Sequence, residues 1–331
     1  MKAKTIRATL RKKINEWLAT IEDQQVRELA ARNTIVTGGA IASMLLREPV
    51  NDYDLYFRDY ETTFRVARYY LKRFNPELKN GIPCRMFLAD GNGLELDGEP
   101  NPAVGNDPVE SRIRIIIKSA GIASEEGAAT PYEYFEARPE GEAAGYVGEV
   151  MGDPGDIQDT YEQTETAALA TEDDGKPKFR PVFMSTNAIT LSHKVQIVIR
   201  FWGKPEEIHK NYDFAHCTNY WCSWNDELVL RPAALEALLA RELRYVGSKY
   251  PICSLIRLRK FIARGWTVNA GQILKAVMQI SELNLKDVRV LEDQLTGVDV
   301  AYFREVMSKV KEKDPEKVNA AYLVEIIDRM F

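Results

Sequence analysis

Hydrophobic positions near the amino terminus fall at helical spacing. Ile6, Leu10, Ile14, Leu18 and Ile21 recur three or four residues apart among Arg and Lys, which predicts one or two amphipathic helices over residues 4–32. The period then switches. Thr34-Ile35-Val36-Thr37 is a short β-branched strand ended by Gly38-Gly39, residues 40–47 are good helix formers, and Pro49 stops that helix. Residues 52–57 alternate acid with apolar or aromatic side chains, the period-two mark of a strand, and a helix over 60–74 follows. Gly and Pro punctuate residues 79–110, which predicts weak strands and loops before a strand over 112–118. Residues 182–191 and 195–201 form a predicted hairpin around Ser192-His193-Lys194, 204–210 a short helix, and 212–224 a return to strand-like chemistry. Beyond Arg231-Pro232 the pattern is helical throughout, in segments 233–246, 251–264, 269–281, 285–295 and 299–330 with Gly247, Gly265 and Gly297 between them.

This succession predicts an α+β protein: an N-terminal helical segment (1–33), a mixed α/β domain (34–230) and a C-terminal helical domain (231–331). Its 331 residues, 45% of them hydrophobic, suffice for more than one core. No run approaches the roughly 20 apolar residues of a membrane span, and the charged N-terminus lacks a signal peptide's apolar stretch, so a cytoplasmic protein with no membrane partner is expected. Four cysteines in so long a chain make no disulfide framework, which agrees with a reducing compartment.

The net charge of −5 conceals a segregation. Residues 121–175 carry 15 Asp or Glu against the single basic Arg138, a local charge of −14 that leaves +9 on the rest of the chain. Rich in Gly and Ala and without a period, this stretch reads as an acidic insertion, either a solvated loop or a polyanion mimic covering the basic body. The basic remainder keeps RNA or tRNA open as a partner.

The candidate chemistry lies between residues 37 and 57. Paired glycines after a strand, Gly38 and Gly39, let backbone approach a phosphate at a helix N-terminus, where free N–H groups favour anions. Ser43 stands one turn further along that helix. Asp52 and Asp54, two apart on a strand, project from one face about 6.5–7 Å apart, within reach of divalent cations that prefer oxygen ligands. Arg257 and Lys260, with Arg264, share a face of a basic helix suited to triphosphate or RNA backbone. A zinc site from His209, His216, Cys217 and Cys222 is disfavoured, because the paired Cys-x-x-Cys spacing is missing.

Gly-Gly, twelve residues, then Asp-hydrophobic-Asp-hydrophobic resembles the signature of the DNA polymerase beta-like nucleotidyltransferase superfamily, and parts of 186–214 resemble members encoded by phages and large DNA viruses. The resemblance implies a nucleotidyltransferase-like mixed sheet with helices. It implies magnesium or manganese and a nucleoside triphosphate, the metal steadying in-line transfer of a nucleoside monophosphate to a hydroxyl acceptor. Carried over by position, it makes Gly38, Gly39 and Ser43 phosphate contacts and Asp52 and Asp54 metal ligands. Asp213, in the strand-like Tyr212-Asp213-Phe214, is the expected third carboxylate. The chain departs from CCA-adding enzymes at Ala42-Ser43, where those carry Arg-Asp, and no Glu-Asp-x-x-Arg template is present. The acceptor stays open among an RNA 3′ end, a protein and a small molecule. A catalytically inactive binding or assembly protein on the same fold is the alternative.

Overall fold

The computed structural model describes residues 1–75, 82–88, 96, 113–118, 177–184, 187–285, 287, 290 and 294. The acidic insertion and the segment 299–330 lie outside these residues, and only isolated positions of the expected helix 285–295 fall within them.

The chain divides into two compact units, the first comprising Met1–Val147, Gln163–Ile208 and Asn219–Leu230 and the second the remainder. In the first unit, α1 (Ala3–Ala19) buries Ile6, Leu10, Ile14 and Trp17, one stripe at steps of three and four. The period thus runs through Trp17, and the Trp17 indole donates to the Tyr70 hydroxyl at 2.7 Å. Asp23 caps α2 (Gln24–Asn33) by accepting from the Val26 amide, and Asp59 caps α4 (Tyr60–Phe74) by accepting from the Thr62 amide. Between them lie β1 (Thr34–Thr37), α3 (Gly39–Leu46) and β2 (Tyr53–Phe57).

Two further strands, β3 (Ile82–Leu88) and β4 (Ile113–Lys118), pair antiparallel as a separate ribbon. Then come β5 (Pro181–Met184), β6 (Ala188–Leu191), β7 (Val195–Val198), α5 (Pro205–His209), β8 (Tyr220–Cys222) and β9 (Glu227–Val229). The stretch 182–191, expected to be one strand, is two strands that pair with each other, so the expected hairpin is a three-stranded meander. The main sheet has the order β5-β6-β7-β2-β1-β8-β9; β2 and β7 run parallel and the other neighbours antiparallel.

Register sorts the side chains into two rows, because directly paired residues share a face. Trp221, Val36, Leu55, Ile197 and Ile189 are paired across five strands and all belong to the main core, together with the inner faces of α1 to α4. One residue along each strand, the other face carries Tyr220, Thr37, Asp54, Gln196 and Thr190. A polar row therefore crosses the middle of the sheet on the side away from the helical core.

The second unit holds α6 (Pro232–Ala240), α7 (Pro251–Ala263) and α8 (Ala270–Ser281), with α7 packed on α8. A 3-10 turn, Ala215–Cys217, packs on α6, and Phe214 bridges to Tyr245. The expected strand over 212–224 thus survives only at 220–222.

Candidate functional site

Strand β1 ends where the chain needs a glycine. Gly38, the residue before α3, has φ 97° and ψ −148°, a conformation that side-chain-bearing residues rarely adopt. It turns the chain from the central strand into the first turn of α3, whose leading amides have no partner within the helix. Gly38, at the N-cap position, has no side chain to cap this end. Gly39 is exposed, and a methyl group built on it meets no atom within 4 Å, so space stands open over the helix start. Ser43 follows one turn later and is half-buried.

Asp54 is paired with Thr37, the last residue before Gly38. Hydrogen-bonded register alone therefore sets one aspartate beside the glycine turn, with its side chain on the polar face. Asp52 lies just ahead of β2, which starts at Tyr53 and not at Asp52 as the alternation predicts. Both aspartates are half-buried, between full solvation and the dry core. On the other side of Asp54 stands Gln196, then Thr190, whose fully buried hydroxyl finds no hydrogen-bond partner among the described residues. Thr37 is also fully buried, and its hydroxyl donates to the Asn219 carbonyl at 2.9 Å.

Asp213 occupies a bend in the second unit, not a strand. It is 8% exposed; its carboxylate accepts from the Ser254 hydroxyl at 2.9 Å and from Arg257 at 2.5 Å. Arg257, expected to hold phosphate, thus has a buried acid as its ion-pair partner. Burial of Asp213 with a matched cation is what makes a charged residue tolerable at that depth. Lys260 lies in α7, but its side chain falls outside the described residues. Among the described residues no group of three or more His, Cys, Asp or Glu is placed to hold a metal ion.

His209 and His216 behave as core residues. His216 packs against Trp266, Phe261 and Phe214 at ring distances of 4.4, 4.9 and 6.1 Å, and burial pulls its pKa down to about 4 against a smaller upward pull from Asp213. His209 is lowered to about 3, by burial first and by the Arg231 charge second. Among the described residues no helix is long and apolar enough to cross a membrane.

Residues 8–241, well over half of the chain, match Gad2, the Gabija anti-defense 2 family. The chain belongs to the Gabija anti-defense 2 family. The matched span of this family takes in the glycine turn, Asp52, Asp54 and Asp213, and it ends before α7, which carries Arg257. A relative named Gabija anti-defense 2, from Bacillus phage SPbetaL7, is 22% identical over 123 residues, 37% of this chain. The aligned stretch spans 31% of that relative's length. Among solved structures, the Bacillus stearothermophilus CCA-adding enzyme in complex with CTP overlaps with a TM-score of 0.36 at 12% identity, over 86% of this chain and 49% of that one.

One feature of the site has no signature along the chain: the parallel pairing that brings β7, with Gln196 and the preceding Lys194, against β2. Lys194 closes the turn Ser192-His193-Lys194 that the sequence predicts. Only the non-local register shows that this turn opens beside Asp52.

Proposed function

We propose that this member of the Gabija anti-defense 2 family binds a nucleoside triphosphate with a divalent cation and transfers the nucleoside monophosphate to a hydroxyl acceptor. The observation that supports the reading is the pairing of Asp54 with Thr37, which sets an aspartate of the motif beside its glycine turn. Asp52 and Asp54 supply the oxygen donors that magnesium or manganese prefers. Half-buried and two residues apart at the start of a strand, they fit such an ion. When bound, the ion supplies charge neutralisation at the phosphates. The amides that open α3 hydrogen-bond phosphate oxygens, and the glycine turn keeps side chains out of their way. The acceptor oxygen attacks the α-phosphorus, the bond from that phosphorus to the bridging oxygen breaks, pyrophosphate leaves, and the hydroxyl proton passes to water. Asp213, in the second unit, is held by Arg257 and Ser254, and the reading rests on Asp52 and Asp54.

In the cell we assign the protein to counteracting the Gabija defence, after the name of its family and phage relative. Two assays test the proposal together. Purified protein incubated with magnesium and each labelled triphosphate, with and without RNA or tRNA, transfers label, and Asp52→Ala or Asp54→Ala abolishes the transfer. Phage plating on cells carrying Gabija rises when the wild type is expressed and not when either variant is.

A second reading draws on the ion-paired state of Asp213 and the lack of a three-acid cluster among the described residues. In it, the site binds nucleotide without turnover, and the protein works by binding a component of the defence. Variants at Asp52 and Asp54 that still restore plating would select this reading.

A further inference from the structure

Strands β2 and β7 are parallel, with Tyr53 against Val195 and Asp54 against Gln196. One residue back, just ahead of the paired stretch, come Asp52 and Lys194, and the Tyr53 amide donates to the Lys194 carbonyl at 2.8 Å. Lys194 thus stands one residue ahead of β7 as Asp52 stands one residue ahead of β2, near the end of the paired stretch that carries Gln196 and Asp54. Neighbouring strands lie about 4.8 Å apart, so a lysine stem spans easily to any group seated over the two aspartates.

Two observations mark Lys194 as more than a turn residue. Its backbone sits at φ 61°, next to His193 at φ 65°, left-handed conformations that Gly or Asn adopts at lower cost. Its ammonium makes a single long hydrogen bond among the described residues, 3.3 Å to the Val50 carbonyl, in the segment that leads to Asp52. The turn itself is pinned, since the Lys13 ammonium donates to the His193 carbonyl at 3.1 Å. A strained turn thus delivers a cation with spare donors to the edge of a site that already has acidic ligands and an amide-lined helix start.

We propose that Lys194 selects the donor by binding the outer phosphates of a polyphosphate tail, so that the site accepts triphosphates and discriminates against monophosphates. The inference rests on reading the Gly38–Asp54 site as the donor site. Gln196, neutral beside Asp54, adds no competing anion. The role of Lys194 is separable from metal binding, which belongs to Asp52 and Asp54.

The test is calorimetric titration of the full-length protein, with magnesium, against tripolyphosphate, each ribonucleoside triphosphate and the matching monophosphates. Tripolyphosphate removes the unknown base preference from the comparison. Wild-type protein binds tripolyphosphate and at least one triphosphate. Lys194→Met loses about 10- to 100-fold in those affinities, the scale of a charge-assisted hydrogen bond, with monophosphate binding unchanged. Lys194→Arg retains most of the preference. Lys194→Gly eases the left-handed backbone and melts at or above the wild-type temperature while losing the same affinity, a split that a merely structural lysine does not produce. If Lys194→Met binds triphosphates like wild type while Asp52→Asn and Asp54→Asn do not, this proposal is overturned and the donor-site reading stands. If wild-type protein binds no polyphosphate, both are overturned.

Discussion

Gly38 and Gly39 are neighbours in sequence, but the structure assigns them opposite tolerance to an added methyl group. Gly38 sits at φ 97° and ψ −148°, so Gly38→Ala forces a Cβ into a region used almost only by glycine, at a cost of about 1–3 kcal/mol. For a unit of this size that corresponds to a fall in melting temperature of roughly 3–10 °C. At Gly39, the first residue of α3, a Cβ meets no atom within 4 Å, and replacing glycine by alanine in a compatible conformation stabilises by up to about 1 kcal/mol. Gly39→Ala therefore melts at or slightly above wild type. The same methyl occupies the open space over the leading amides of α3, so this variant loses affinity for magnesium-tripolyphosphate while its fold is intact. Paired thermal melts and titrations of the two variants check both halves. Equal destabilisation by the two substitutions would refute the conformational argument. A stable Gly39→Ala that binds polyphosphate like wild type would refute the placement of phosphate at the helix start.

The second unit offers two predictions. Arg257→Met leaves the Asp213 carboxylate buried with Ser254 as its one side-chain donor among the described residues, and urea melts should show a loss of about 2–4 kcal/mol, reduced in the double variant Asp213→Asn/Arg257→Met; additive losses would contradict an ion pair that acts as a unit. His216 is held neutral by burial, with a folded pKa near 4 against an ordinary 6.5, so the unfolded chain binds the proton more readily between those values. Its contribution is complete above about pH 6.5 and is lost as pH falls toward 4, a slope that His209 shares and that His216→Phe should shallow in a pH series of urea midpoints; an unchanged slope would contradict the assignment.

Elements with a strong local period were legible in the sequence. The stripe of α1 and the Asp59-capped helix α4 follow from spacing and capping chemistry. The placement of Gly38 and Asp54 was legible for the same reason: a Gly-Gly pair ends a β-branched strand, and Asp54 alternates with core residues. What failed was local chemistry with two solutions. Tyr212-Asp213-Phe214 has the composition of a strand, but the chain bends there and enters a 3-10 turn, because the carboxylate is claimed by Ser254 and Arg257 more than forty residues away. The run 182–191 has β-forming residues at both ends, and only the turn-favouring Ser185-Thr186-Asn187, without Gly or Pro, stands where β5 gives way to β6. The place of Lys194 is not legible because parallel pairing is a long-range event: nothing near residue 194 announces that the strand after it will lie beside Asp54.

Binding of manganese to the protein, followed by the electron paramagnetic resonance of the free ion, tests the central claim most directly. The account predicts that wild-type protein removes free manganese from solution, and that Asp52→Asn/Asp54→Asn, folded and melting like wild type, does not. Equal manganese binding by the folded double variant would contradict the assignment of these two aspartates as the site's metal ligands.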